Sequence, residues 1–317
     1  MLFQDNPRSF LTGDDPFIPT IDLEETEQRI DQSIVFEQRH EGFIGIPHGG
    51  LPMGLCLDAW RRIQGPSYPI DVRFKFGGSG IGIGETAFFT VERGPESRDR
   101  RFLARITKQG DKTPYLRAEI TPSSPSETPV TISKPPREEF RELPYYRNCF
   151  VCGHHRTEPG LQRRFRAHST EGGHLITTEW GASSEDGDRT ESFLITNDEL
   201  HPAVLISIFD ENTAWGGFMQ TRACGLSVRL NLTLRRPVAK TEPLLFVGWP
   251  TGIRGNPRSP RFFLAEGTIL SVADPDNPEP VVHGRGEWVI MNQYTQQIKK
   301  NLLPPNDWEW IFGESRP

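Results

Sequence analysis

Apolar residues recur at helical spacing in two stretches of the chain, 48–61 and 202–215. In the second stretch Val204, Leu205 and Ile208 keep this spacing, and Pro202 stands where the first turn of a helix tolerates proline. Both stretches are apolar on most faces, which predicts two largely buried helices. Each is followed by four segments with the alternation of half-buried strands. These segments are 71–76, 85–92, 101–108 and 114–121, then 225–234, 243–249, 260–271 and 281–291.

The two halves repeat the same order of elements. His48 and His201, which head the two helices, lie 153 positions apart, and the last matched strand segments, beginning at Arg117 and Arg285, lie 168 positions apart. The offset only grows along the chain, as expected if the second copy has longer hairpin loops. This order indicates a duplication, and short connections between strands indicate antiparallel pairing. We therefore expect an α+β fold in which each half wraps a sheet around one long helix.

Composition divides the chain into four parts. The segment 122–136 is rich in proline, serine and charge, which is typical of a linker that packs poorly. We place an N-terminal domain at 1–122, a linker at 123–146, a C-terminal domain at 147–292 and a tail at 293–317. The tail has no counterpart in the repeat, and we expect it to cover a sheet edge or to contact another subunit.

Charge and cysteine content narrow the class of protein. A net charge of −6 argues against binding to nucleic acid or to an anionic membrane surface, because both partners demand positive charge. Four cysteines in 317 residues do not make a disulfide scaffold. The chain opens with no basic region followed by an apolar stretch, so no signal peptide is predicted. We expect a cytoplasmic protein that binds a small molecule and does not span a membrane.

Motifs in the second half carry a resemblance to a known family. They are CFVCG at 149–153, PGL at 159–161, DEN at 210–212, RRPV at 235–238 and GRGEWV at 284–289. Over 147–292 the combination resembles the hotdog-fold acyl-CoA thioesterases of the phenylacetic-acid-pathway type, and GFIGIPHGG at 42–50 resembles a more diverged copy. The resemblance implies a tandem double hotdog: two antiparallel sheets, each wrapped around a long central helix, arranged as a pseudo-dimer.

The resemblance also implies a mechanism. In such thioesterases an amide at the helix N-terminus, just after the histidine, polarises the thioester carbonyl, and a carboxylate on the partner domain's helix attacks it or activates water. A helix N-terminus suits an oxygen that becomes negative, because its N–H groups are unpaired and it carries partial positive charge. The implied substrate is an acyl-CoA or acyl-carrier thioester, and no cofactor is implied. The corresponding donors in this chain are His48, Gly49 and Gly50.

The two halves depart from this pattern in opposite ways. The first half keeps the donors but has Leu57 where the acid belongs. Asp58 follows about 100° further round the helix, and we expect it to face elsewhere. The second half keeps the acid, Asp210, but has proline and alanine in place of the two glycines. We therefore predict one composite site between the halves, with Asp210 as base or nucleophile, and a second site that is degenerate.

Further candidates follow from position. Glu211 is the acid instead of Asp210 if the alignment of this helix with the family pattern is off by one residue. His201 either caps its helix or contacts the substrate. The phosphates of CoA call for cations, and arginine suits phosphate. The substrate-binding candidates are His201, Thr213, Arg235, Arg236 and Arg254.

No metal site is predicted. Cys149 and Cys152, with His154 and His155 after them, are residue types that bind zinc. However, structural zinc sites usually combine two separated pairs of ligands, and the chain has no second closely spaced cysteine pair.

Two other functions stay open. One is a non-catalytic acyl-thioester binding or assembly protein in which both sites have decayed. The other is a hotdog hydratase or dehydratase, which usually pairs an aspartate with a histidine a few residues later, whereas no histidine follows Asp210 until His283. The sequence also leaves open the acyl length and whether two double-hotdog chains form a homodimer.

Overall fold

The computed structural model describes residues 17–18, 20–26, 29–64, 67–94, 101–123, 139–158, 160–181, 193, 198–256, 259–305 and 307–313. Its helices are α1 (Gly50–Gln64), α2 (Pro202–Thr221), α3 (Asn292–Lys299) and α4 (Glu309–Phe312). The strands of the first half are β1 (Thr20–Glu25), β2 (Arg29–Val35), β3 (Glu41–Phe43), β4 (Ile46–Pro47), β5 (Ile70–Phe76), β6 (Thr86–Arg93), β7 (Phe102–Lys108) and β8 (Leu116–Pro122). Those that follow are β9 (Arg141–Glu142), β10 (Tyr145–Tyr146), β11 (Arg166–Thr170), β12 (Gly173–Trp180), β13 (Gly225–Leu234), β14 (Leu244–Asn256), β15 (Ser259–Ser271), β16 (Glu279–Ile290) and β17 (Leu302–Leu303).

Each half has the same sheet topology around its helix. The first half orders its strands β2-β6-β7-β8-β5, and the second orders them β12-β14-β15-β16-β13. In both, one strand precedes the helix and four follow it, and all neighbours are antiparallel. This confirms the α+β double hotdog. The two sheets are not separate, however, because β5 pairs with β13, with Phe74 opposite Leu230. This pairing joins them into one sheet, which has thirteen strands in the described part of the chain.

The two long helices are buried against the sheet and against each other. Residues 202–219 of α2 are all buried, as their nearly continuous apolar sequence requires. Helix α2 begins where the His201 side chain accepts the N–H of Ala203, and it ends at Arg222, whose φ of 57° is left-handed. A Cβ added to Gly50 of α1 would lie 2.2 Å from the Ser207 hydroxyl oxygen, so the helices touch closely at this glycine.

The eight predicted strands are present, with ends that differ from the prediction by a few residues, up to seven at the end of β14. The strands before each helix, β2 and β12, were missed. In β12 Thr177 and Thr178, which point to opposite faces of the sheet, are both buried, and their hydroxyls bond to His168 and to the Arg164 carbonyl oxygen. Buried threonines satisfied in this way hide the apolar alternation on which the prediction depends.

The proposed linker and tail contact each other. Residues 139–146 contain β9, which pairs with β11, and β10, which pairs with β17 of the tail. Residues 124–138 of the predicted linker lie outside the described part of the chain, as do 1–16 and 314–317 at the ends. The domain boundaries stay a prediction. Among the described residues, no helix has both the length and the apolar character that a membrane crossing requires.

Candidate functional site

A cavity of about 400 Å³ lies where the two halves meet. The first half contributes the β3–β4 hairpin, the residues just before α1 and the loop after β5. The second half contributes α2 and the start of β13. The walls of the cavity are mostly apolar, and a polar cluster lies where the two helices meet. The apolar side chains include Phe43, Ile46, Phe76, Ile81, Phe218 and Trp288, and the polar cluster consists of His48, Asp210, Glu211 and Ser227.

Gly49 and Asp210 face each other across this cavity. A Cβ built on Gly49 would lie 2.9 Å from Asp210 Oδ2 and 3.6 Å from Ser227 Oγ, so the carboxylate rests directly against the glycine backbone. Gly49 immediately precedes α1, where N–H groups have no partner within the helix. No described residue accepts a hydrogen bond from the Gly49 N–H. An unpaired amide and a carboxylate from opposite halves therefore lie side by side.

The environment of Asp210 favours a basic carboxylate. Asp210 is 6% exposed, and Oδ1 accepts a hydrogen bond of 2.7 Å from the hydroxyl of Ser227 on β13. Burial raises the pKa of Asp210 above its usual range, while His48, Ser227 and Trp288 act in the opposite direction. Burial also raises the pKa of Tyr115, which lines the same cavity, and the nearby charge of Asp210 adds to this.

The His48 side chain forms a hydrogen bond with Glu211 and not with Asp210. Its Nδ1 accepts the N–H of Gly50 at 3.1 Å, so the proton of the neutral imidazole is on Nε2. That N–H donates to Glu211 Oε2 at 3.3 Å, and the Cys149 thiol donates to the same oxygen at 3.2 Å. Burial raises the pKa of Cys149, which keeps this donor protonated. Both ring nitrogens of His48 are therefore engaged.

The histidine of the second half, His201, makes the equivalent contacts with its own helix and with Asp58 of the first half. His201 Nδ1 accepts the N–H of Ala203 at 3.0 Å, and Nε2 lies 3.0 Å from Asp58 Oδ1. Asp58 therefore does not take the place of the missing acid, as expected, but it faces the histidine of the other half. The residue that meets the partner histidine stands ten positions after its own histidine, so Asp58 corresponds to Glu211. Position nine holds Asp210 in one half and Leu57 in the other.

Three predicted site residues on or next to the helices do not line the cavity. Gly50 gives its N–H to His48 and packs against Ser207. His201 is fully buried and caps α2. The Thr213 hydroxyl donates to carbonyl oxygens within its own helix, those of Phe209 and Asp210, at 2.7 and 3.1 Å. The predicted cavity residues that do line it are His48, Gly49, Asp210 and Glu211.

The three predicted arginines also lie outside the cavity lining. Arg236 pairs with Glu242 and Glu279, and Arg254 pairs with Glu287 and lies over the Phe262 ring. Arg235 lies at the end of β13, where its N–H donates to the Val281 carbonyl oxygen. Ion pairing with nearby glutamates accounts for Arg236 and Arg254, and this could not be predicted from residue type alone.

Sequence reasoning missed Ser227 and Cys149. Ser227 is a polar residue near the start of a strand that was predicted correctly, and its position opposite α2 depends on the sheet register. Cys149 was considered as part of a motif and as a residue type that binds zinc, but not as a partner of Glu211. The structure brings the ligand atoms of His48, Cys149 and Glu211 within 4.8 Å of one another, although the three residues are far apart in sequence.

Comparisons with known proteins identify the fold. No protein-family profile matches the chain, and no curated protein is similar to it in sequence. The structure of the tesB protein of Mycobacterium avium subspecies paratuberculosis is 12% identical, covers 85% of this chain and 96% of its own, and has a TM-score of 0.54. An acyl-CoA thioesterase II, TesB2, from Mycobacterium marinum is 15% identical over 86% and 96%, with a TM-score of 0.52.

A dehydratase domain shares the same architecture. The dehydratase domain of PpsC from Mycobacterium tuberculosis, in complex with C12:1-CoA, is 11% identical over 86% of this chain and 97% of its own, with a TM-score of 0.53. At these identities the likeness concerns the fold. The phenylacetic-acid-pathway type in particular stays a prediction. In fold, the chain is similar over most of its length to tesB-type thioesterases and to this dehydratase domain, which agrees with the hotdog-thioesterase resemblance of the sequence.

Proposed function

We propose that the chain hydrolyses acyl thioesters at one composite site between its two halves. The observation that carries this proposal is the contact between Gly49 and Asp210 within the cavity. Hydrolysis of a thioester needs a donor for the carbonyl oxygen and a base for water, and these two residues supply both types of group. The structural likeness to a protein named as an acyl-CoA thioesterase II supports the same reaction.

Asp210 acts as the base in this proposal. It takes a proton from water as the water oxygen bonds to the carbonyl carbon, and the Gly49 N–H stabilises the oxygen that becomes negative. The C–S bond then breaks, and the proton passes to the leaving sulfur. A carboxylate whose pKa is raised by burial accepts a proton more readily. Ser227 is a positioning residue, because its hydroxyl fixes Oδ1. Direct attack by Asp210 on the carbonyl uses the same geometry.

Glu211 has a different role. Its Oε2 already accepts hydrogen bonds from His48 and Cys149, and its carboxylate belongs to the set that Asp58 and His201 repeat in the other half. The repeated pair has no acid or free amide beside it, because Leu57 and Pro202 replace Asp210 and Gly49. We infer that the imidazole–carboxylate pairs fix the helix N-termini, and that chemistry occurs where the acid and the amide are added.

The apolar walls of the cavity suit an acyl group. Phe43, Phe76 and Trp288 can cover a chain or ring of modest size in about 400 Å³. Among the described residues that line the cavity there is no lysine or arginine. In our proposal the phosphates of a CoA or carrier therefore stay outside it, and the acyl group and thioester enter. The cytoplasmic location and a homodimer stay predictions.

Two alternatives give different outcomes. A hydratase or dehydratase needs a histidine that can exchange a proton with the substrate, but both nitrogens of His48 are engaged, by Gly50 and by Glu211. A non-catalytic thioester-binding protein would keep the cavity and lose the reaction. The first alternative predicts reaction with 2-enoyl or 3-hydroxyacyl thioesters without thiol release, and the second predicts saturable binding without turnover.

The test is thiol release from a panel of acyl-CoA thioesters of different length and ring content. We expect turnover by the natural chain and at least a hundredfold loss in Asp210→Asn. The matched control is Asp58→Asn. It removes the charge of a buried helix carboxylate in the other half, which bonds to His201 and does not line the cavity, and this variant is expected to keep turnover. Undiminished turnover in Asp210→Asn contradicts the role of Asp210, and no thiol release from any thioester contradicts the proposed reaction.

A further inference from the structure

The turn at 149–153 holds one sulfur in a network of amide donors. The N–H groups of Val151 and Cys152 lie 3.3 and 3.5 Å from Cys149 Sγ. The N–H of Gly153 donates to the Cys149 carbonyl oxygen at 2.9 Å, and a Cβ on Gly153 would lie 2.5 Å from that oxygen. The turn therefore requires glycine here. Burial keeps this thiol protonated without a metal ion, but amide donors directed at the sulfur stabilise the thiolate that forms when a metal ion replaces the proton.

Two side chains from other parts of the chain meet this turn. Glu211 Oε2 lies 3.2 Å from Cys149 Sγ and 3.3 Å from His48 Nε2, and all three ligand atoms lie within 4.8 Å of one another. Cys152 lies one turn position beyond these three atoms: its backbone N–H is 3.5 Å from Cys149 Sγ, and burial together with the nearby Cys149 and Glu211 raises the pKa of its thiol. The second carboxylate oxygen, Glu211 Oε1, is buried and accepts no hydrogen bond from a described residue. All four residues are buried.

We propose that His48, Cys149 and Glu211, whose ligand atoms are already gathered, form with the adjacent Cys152 a binding site for a thiophilic divalent cation such as Zn²⁺. Two thiolates, an imidazole and a carboxylate are the ligand types of tetrahedral zinc, and a cysteine pair two residues apart is a common half of such sites. The other half is absent from the local sequence, because it comes from α2 and from the residues before α1. The bound ion links the first half, through His48, to the second half.

Binding changes the protonation of the ligands in a defined way. Both thiols release their protons to solvent. His48 binds through the lone pair of Nε2, so the ring proton moves to Nδ1 and the hydrogen bond from Gly50 is lost. Because the thiols lose protons, the affinity for zinc rises with pH until the thiols are ionised. The site goes beyond the proposed hydrolysis, because Asp210 and Gly49 are not ligands.

The test uses the full chain, equilibrated with Zn²⁺ and then dialysed against metal-free buffer, with zinc measured by atomic emission. We expect one zinc ion per chain, and binding weakened about tenfold or more in Cys149→Ser and in Cys152→Ser. The matched control is Cys56→Ser, because the Cys56 thiol is equally buried but donates to the Pro52 carbonyl oxygen at 3.3 Å. This control keeps its zinc. Equal loss of zinc in all three variants overturns the proposal, as does a natural chain that retains no zinc.

A second measurement does not depend on how the serine variants fold. Co²⁺ added to the natural chain is expected to give thiolate-to-cobalt charge-transfer absorption that Zn²⁺ abolishes, and a spectrum without this absorption overturns the assignment. The Asp210→Asn variant separates the two proposals, since it loses thiol release but keeps zinc. Loss of zinc from this variant contradicts a ligand set without Asp210.

Discussion

Replacing Gly49 with alanine tests the close approach between the two halves. The added Cβ would lie 2.9 Å from Asp210 Oδ2, whereas ordinary van der Waals contacts begin at 3.4 Å. To restore an ordinary contact, the carboxylate must therefore move by roughly 0.5 Å, which is the difference between these two distances. It cannot move freely, because the Ser227 hydroxyl holds Oδ1 at 2.7 Å. The substitution keeps the N–H of residue 49, so it changes the geometry of the pair without removing either group.

A shift of this size at the reacting groups is expected to lower kcat by roughly tenfold to a hundredfold. Stability is expected to change by less than about 1 kcal/mol, because the backbone at Gly49 is not left-handed. The assay is thiol release with kcat and KM separated, and urea unfolding is measured on the same preparation. The matched control is Gly172→Ala, since an added Cβ there meets nothing within 4 Å. An unchanged kcat in Gly49→Ala refutes the contact as the basis of the site.

Three further variants have defined outcomes. Ser227→Ala removes a hydrogen bond to a charged group, so kcat is expected to fall roughly tenfold. Because Ser227 lowers the pKa of Asp210, the acid limb of the pH–rate profile is expected to move to higher pH in this variant. Asp210→Asn is expected to raise the free energy of unfolding at neutral pH. Burial raises the folded-state pKa of this acid, so its ionisation lowers stability as pH rises. Urea unfolding is therefore expected to show the gain at neutral pH and no gain at low pH, where the acid is protonated in both states. Gly50→Ala is expected to lose roughly 1–3 kcal/mol in the same measurement, because its Cβ would lie 2.2 to 2.6 Å from Ser207.

The architecture could be predicted because its signals are local. Alternation along 225–234 and helical spacing along 202–215 each depend on neighbouring residues, and the repeat places the two halves in the same order. The strand Gly173–Trp180 was missed because the buried positions Thr177 and Thr178 are polar and are satisfied by hydrogen bonds rather than by apolar packing. The end of α2 was placed six residues early because Gly216 and Gly217 suggest a stop, yet both are buried against the sheet.

The site could be predicted only in part. The complementary loss of acid and amide pointed to Asp210 and to the residues before α1, because it is visible in sequence. The partners of these groups depend on tertiary contacts. Asp58 meets His201 because the two helices lie side by side, which single-helix geometry does not give. Cys149 meets Glu211 through a turn more than sixty residues away in sequence.

The account rests on Gly49 and Asp210 acting as one unit, although they belong to different halves. A double-mutant cycle on kcat, with Gly49→Ala, Asp210→Asn and the double variant, tests this most directly. The account predicts that Gly49→Ala costs little further rate once Asp210 is replaced, so the two losses are far from additive. Losses that multiply fully in the double variant would show that the two residues act independently and would contradict a shared site.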